Sequence, residues 1–280
     1  MTGRLLARID SSVRIGIFIA LAAVLLAGCG SRVVERSRSA TPPYDGQLGA
    51  GAAVGALECD GKTPYWRGNG VYDDGLAKVQ GSADAALDDY MSEAGLSLFA
   101  PSDGYAVERD QGGRVLFSYD VTGRTKVAIL AADDIRDWNR DAGWGVREWA
   151  QCDPSEFPPD VTDDLNIGVW EDGSGRRVPV TRIQSFQGAE HCSWSDVTFL
   201  LLGPEKTADW YVRDVKREFS GMLHTTFSDR ATLPADATDT GLRRDGRRLW
   251  LGEKAVYLVS LEDAEDIERW PAAKRRIGCA

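Results

Sequence analysis

The chain has 280 residues, with 33 basic against 43 acidic side chains and a formal net charge of −10. That balance excludes nucleic acid as a partner, because such binding sets Lys and Arg against phosphates, and it argues against the body lying flat on anionic lipid. The length suffices for one large or two small domains.

Residues 1–14 carry Arg4, Arg8 and Arg14 against one acid, Asp10, and an unbroken apolar run, IGIFIALAAVLLA, follows over residues 15–27. A basic front, a short apolar centre and small residues before a break make a secretory leader. The run is short of the roughly 20 apolar residues a membrane span needs. The rival is an uncleaved transmembrane anchor, in which a tilted helix borrows Val13 and Gly28.

The run ends in Leu26-Ala27-Gly28-Cys29. These residues resemble the lipobox of bacterial lipoprotein signal peptides at all four positions. The resemblance implies cleavage between Gly28 and Cys29, a diacylglycerol on the Cys29 sulfur and often a fatty acid on its new amino group. Each buried methylene contributes about 0.8 kcal/mol, so two or three chains hold where one is marginal. The chain is then expected at the cell membrane, lipid-anchored, on its extracytoplasmic face. Arg32, Arg36 and Arg38 lie near the anchor, either touching headgroups or simply solvated.

Residues 29–57, rich in Gly, Ala and Ser with a Pro42-Pro43 pair, read as a flexible tether. Four further cysteines follow Cys29: Cys59, Cys152, Cys192 and Cys279. An even count in an exported chain is read as disulfides, and four cysteines allow three pairings. Their order suggests Cys59–Cys152 and Cys192–Cys279, each closing one half of the chain; four reduced thiols are the alternative.

In residues 58–157, Ser82 is placed to cap a helix over 83–94, with Gly95 as its stop. Leu87, Tyr90, Met91 and Ala94 share one face of it. Strand patterns follow near 105–109 and over 114–121, 126–131 and 144–150. One helix on a small antiparallel sheet buries both apolar faces. Residues 153–164, DPSEFPPDVTDD, read as an acidic, proline-rich linker. Residues 165–280 are nearly all strand signals: 167–170, 178–186, 192–202, 210–212, 223–227, 241–244, 247–251 and 255–260, with Asp172-Gly173 and Asp245-Gly246 as turns. The expected class is α+β, a small helix-on-antiparallel-sheet module followed by a mostly β module that forms a sheet, sandwich or partial barrel.

Catalytic motifs are sparse. Ser174 lies in Asp172-Gly173-Ser174-Gly175, a hairpin string without the spacing of a nucleophile elbow. No phosphate-cradling glycine loop occurs. Only His191 and His224 are present, too few for a usual catalytic zinc site. His191 and Cys192 are adjacent, so on a strand they face opposite ways. Residues 236–241 place an acid first and a glycine sixth, as in a calcium loop. Arg247 stands where the bidentate glutamate belongs, so a capped turn is the better reading. Of nine tryptophans, Trp144, Trp149, Trp194 and Trp250 sit in strand patterns, while Trp66, Trp138 and Trp270 lie near turns as surface candidates.

Beyond the leader, the lipobox, small-residue tether and acidic, Trp-rich body resemble uncharacterised lipoproteins of high-GC Gram-positive bacteria; no residue role follows from that resemblance. The sequence thus predicts an extracytoplasmic lipoprotein, not an enzyme, with no cofactor or metal. Its expected partners are membrane lipid through the anchor and an envelope protein or cell-wall component. An extracytoplasmic hydrolase using paired carboxylates is the alternative, and a small-solute receptor a third. On this reading, intact mass after detergent extraction shows a chain starting at Cys29 plus acyl mass. A Cys29→Ser protein retained at the membrane as before would contradict it.

Overall fold

A computed structural model describes residues 44–61, 64–70, 79–98, 100–137, 141–204 and 206–278. The leader, Gly28 and Cys29 lie outside the described residues, as do Trp138 and Cys279. The fold is mostly β, with three antiparallel sheets and few helices.

The first sheet holds β1 (Trp66–Asn69), β2 (Ala106–Asp110), β3 (Arg114–Val121), β4 (Arg124–Arg136) and β5 (Ala142–Gln151) in the order β1-β5-β4-β3-β2. Its centre is apolar on both faces, since Leu116, Phe117, Val127, Ala128, Ile129 and Leu130 are all buried. Such a sheet must be covered twice. On one face Phe117, Val127 and Ile129 cluster with Leu87, Tyr90 and Met91 from α2 (Ala83–Leu98). Ser82 Oγ accepts a hydrogen bond from the Ala85 amide at 3.2 Å and caps this helix. The helix runs past Gly95, where the sequence suggested a stop.

On the other face Leu116, Ala128, Leu130 and Ala150 pack against Leu48, Ala52, Ala53 and Ala56. These last four lie within the expected tether, and here the structure differs. Residues 44–57 form a strap that includes α1 (Ala52–Ala56). A five-residue helix is far too short to persist alone, and the sheet holds it. The Glu148 carboxylate accepts from the amides of Gly51 and Ala53, each at 2.9 Å. Arg114 donates to the Leu48 carbonyl at 2.7 Å, and Arg109 to that of Tyr44 at 2.8 Å. The small residues that suggested coil are those that let backbone lie flush on a sheet.

The expected linker also differs. Asp153 and Pro154 are buried, and Phe157 joins the core of the first sheet. One Asp153 oxygen accepts from the Ser155 amide at 2.9 Å and from the Val180 amide at 3.0 Å, tying the stretch to the chain beyond it. A short 3₁₀ turn (Pro154–Glu156) and α3 (Pro159–Asp164) follow, each with proline in its first turn. Proline there presets φ and lacks only an amide that a helix start would leave unpaired.

The second sheet holds β6 (Ile167–Gly168), β7 (Ile183–Gln187), β8 (Val197–Leu202) and β9 (Asp209–Asp214) in sequence order. The third holds β10 (Thr238–Arg244), β11 (Arg247–Leu251), β12 (Ala255–Ser260) and β13 (Ile267–Pro271), also in order. Single ladder pairs, Tyr211–Ala272 and Glu171–Arg243, join these two sheets at both edges. The strands therefore surround one core containing Trp170, Ile183, Leu200, Leu249, Val256 and Trp270. Trp270 is thus core, contrary to its expected surface position, because it lies on β13 with its ring turned inward. The outer face of β8, Val197, Phe199 and Leu201, is covered by Trp194, Phe219, Leu223 and Ile277. The strand expected over 223–227 is instead irregular, meeting the sheet through the single pair Leu223–Ala273.

Cys59 and Cys152 are disulfide-bonded, their Cα atoms 5.3 Å apart. Beside them the buried Lys126 ammonium lies 2.7 Å from Glu156 and donates to the Glu58 carbonyl at 2.8 Å. Cys192 is also disulfide-bonded, and its expected partner Cys279 lies outside the described residues. The Cys59–Cys152 bridge spans 93 positions. Replacing both by Ala is expected to lower stability by about 3–5 kcal/mol in guanidinium unfolding; an unchanged midpoint would contradict this.

Candidate functional site

Closing the second sheet onto the third creates a seam, and a cleft of about 330 Å³ opens beside it. Pro159, Thr162 and Asp163 of α3 form one wall, and the Asp245-Gly246 turn between β10 and β11 forms another. Val169 and Glu171 line the floor while Trp170 between them points into the core, as strand alternation requires. Leu261, half-exposed, makes the lip, and its amide donates to the Gly246 carbonyl at 2.8 Å. Both Asp245 and Gly246 have positive φ, 49° and 70°, the geometry an Asp-Gly hairpin supplies.

Three arginines enter the cleft: Arg177, Arg243 and Arg244. Arg243 exchanges two backbone hydrogen bonds of 2.9 Å with Glu171, and their side chains lie 3.4 Å apart. Arg244 lies 3.2 Å from the Asp245 carboxylate and donates to Ser185 Oγ. Its guanidinium crosses directly over Gly168, so a Cβ there would displace the Arg244 and Ser185 side chains from this arrangement. Arg177 differs from both. Its Nη2 donates to Thr162 Oγ1 at 2.8 Å, and its Nε is buried without a hydrogen-bond partner. Among the described residues no carboxylate lies within 4.0 Å of it. Burial pulls the guanidinium below its ordinary pKa, and the charges of Asp163, Glu171 and Asp153 oppose that shift. Thr162, itself buried, donates to the Pro159 carbonyl at 3.0 Å, so its oxygen is oriented to accept from Arg177.

None of the serine, histidine, cysteine, tryptophan or calcium-like candidates read from the sequence lines this cleft, although the 153–164 stretch and the Asp245-Gly246 turn form its walls. Ser174 sits in the adjoining turn, where its amide and hydroxyl both donate to Asp172 Oδ1. His191 and Cys192 share a 3₁₀ turn (Glu190–Cys192), and the His224 amide bonds the Ala272 carbonyl. Asp239 of the calcium-like string accepts from the Gly241 amide at 2.9 Å and pairs with Arg248 at 3.2 Å. Cys59, Cys152 and Glu156 converge within 4.8 Å, but the cysteines are bonded to each other and Glu156 pairs with Lys126. Trp66 packs partly buried against the first core. The cleft residues escaped notice because they lie on the expected linker, on a short strand and on a turn. The one available signal was the arginine density around Asp245-Gly246 in an acidic chain.

No protein-family model, no curated protein and no solved structure matches the chain. Among the described residues no helix is long and apolar enough to cross a membrane.

The turn before Arg177 carries a pH signature. The Asp172 carboxyl is held well below its ordinary 3.8, first by the Ser174 hydroxyl, then by the amides of Arg176 and Ser174. A carboxylate depressed in the folded state stabilises above its unfolded pKa and loses that contribution as pH falls through the folded value. In urea unfolding, the stability gap between wild type and Asp172→Asn should therefore be constant above about pH 5 and narrow below about pH 4. A gap that widens on acidification would contradict this.

Proposed function

We propose that the chain is a lipid-anchored extracytoplasmic lipoprotein of the cell envelope, held through Cys29, whose body binds a ligand in the seam cleft rather than turning one over. In this reading the body comprises a helix-on-sheet module and a β-rich module. It works at the membrane surface, where its partners are the lipid of the anchor and an envelope protein or cell-wall component.

The observation that carries binding is Arg177: a half-buried cation in a cleft, set apart from its two neighbours because among the described residues no carboxylate lies within 4.0 Å of it. A desolvated charge without a partner is costly in the free protein and is offset when a complementary group arrives. What supports binding over hydrolysis is the pairing of the local acids. Glu171 and Asp245 are each engaged by an arginine, at 3.4 and 3.2 Å. A carboxylate hydrolase needs two acids that both face the bond to be broken.

The test is a screen of cell-wall peptides and glycans against the full chain in detergent micelles, read by backbone amide NMR and by turnover. Shifts grouped on Thr162, Glu171, Arg243 and Gly246 without turnover are expected. Turnover lost on changing Glu171 or Asp245 to its amide would overturn the reading, as would shifts confined to surfaces away from the seam.

A further inference from the structure

We infer that the seam cleft takes a small organic monocarboxylate with an apolar arm, its carboxylate held by Arg177. The inference rests on reading the cleft as a ligand site and names the ligand's class.

The cleft's formal charges balance, with Arg177, Arg243 and Arg244 lined up against Asp163, Glu171 and Asp245. Arg243 and Arg244 are in direct ion pairs with Glu171 and Asp245. Arg177 feels Asp163, Glu171 and Asp153 only at longer range, and its one hydrogen-bond partner among the described residues is a neutral hydroxyl, Thr162 Oγ1. The direct contact that no protein carboxylate makes with Arg177 is open to a ligand carboxylate. A dianion such as a phosphate monoester would meet the Glu171, Asp245 and Asp163 carboxylates that line the same space. Repulsion of that kind discriminates against a wrong ligand alongside the contacts that favour the right one.

Geometry agrees with the charge. A guanidinium is a planar fork that matches a carboxylate, and it is hydrated weakly enough to act half-buried. Nη2 is fixed by Thr162, whose hydroxyl is fixed in turn by Pro159, so the fork is oriented before any ligand arrives. Among the described residues Nη1 has no hydrogen bond and is free to donate. The rest of the lining is less polar: Val169 on the floor and Leu261 at the lip, the latter 49 % exposed. These surfaces suit a hydrocarbon arm extending from the carboxylate toward solvent. Thr162 is a positioning residue here, acting through Arg177.

The test uses the full chain in detergent micelles with three six-carbon probes: hexanoate, hexanamide and hexyl phosphate. Hexanoate should shift the Arg177 Nε–Hε resonance and the Gly246 amide, while hexanamide and hexyl phosphate bind more weakly by about tenfold or more. Arg177→Gln should weaken hexanoate by about tenfold, with Arg177→Lys falling between. The Leu130 and Ile129 amides, remote from the cleft, report that each variant is folded. Equal binding of hexanoate and hexanamide at the cleft, or hexanoate binding unchanged in Arg177→Gln, would overturn the ligand class while leaving the cleft a binding site. Tighter binding of hexyl phosphate through Arg177 would do the same. No shift in the cleft with any probe would overturn the class, and the absence of cleft shifts in the wider screen as well would overturn the site.

Discussion

Strands that are apolar on both faces have no side to turn toward water, and most of this fold follows from covering them twice. In the first sheet, β3 and β4 present Phe117 and Ile129 one way and Leu116 and Leu130 the other. One face takes α2, and the other takes the strap of residues 44–57. In the second sheet, β8 turns Leu200 into the enclosed core and Phe199 outward, where Trp194 and Phe219 cover it. Buried Asp214 holds that cover in place by accepting from the amides of Glu218 and Phe219, each at 2.8 Å. Burial of this kind stabilises by about 25 cal/mol per Å² of apolar surface, without direction. The directional groups decide which segment becomes the cover.

Covering the faces leaves the edges. Unpaired strand edges expose backbone donors and acceptors and invite association. Here the second and third sheets meet at both edges, through Tyr211–Ala272 and Glu171–Arg243. The latter pair also carries opposite charges, so one contact serves as ladder rung and ion pair. Closure at that seam brings α3, the segment after β6 that carries Val169 and Glu171, and the β10–β11 turn to a common place. The cleft is thus a consequence of edge closure, and its arginines arrive with the backbone that closes it. Arg177 is the member that closure leaves without a direct ion pair among the described residues.

Periodicity made the long strands legible. Residues 114–121 alternate cleanly in the sequence and form β3, and the helix carrying Leu87, Tyr90 and Met91 is read from its spacing. The Cys59–Cys152 pairing followed from cysteine order. What could not be read depends on distant partners. Gly51 to Ala56 has the composition of coil, and only Glu148, nearly a hundred positions away, makes it a capped helix. Residues 153–164 have linker composition, yet the Asp153 carboxylate is buried against the Val180 amide. The cleft was illegible for the same reason, since Thr162, Arg177 and Arg244 meet only after the seam closes.

The central claim is that the seam builds a ligand site, and amide hydrogen exchange tests it most directly because exchange reports local opening. Measured with and without hexanoate, the account predicts added protection at the Glu171 and Arg243 amides and through residues 160–164, with β3 and β4 unchanged. Protection that is uniform across the chain, or absent from the seam, would contradict it.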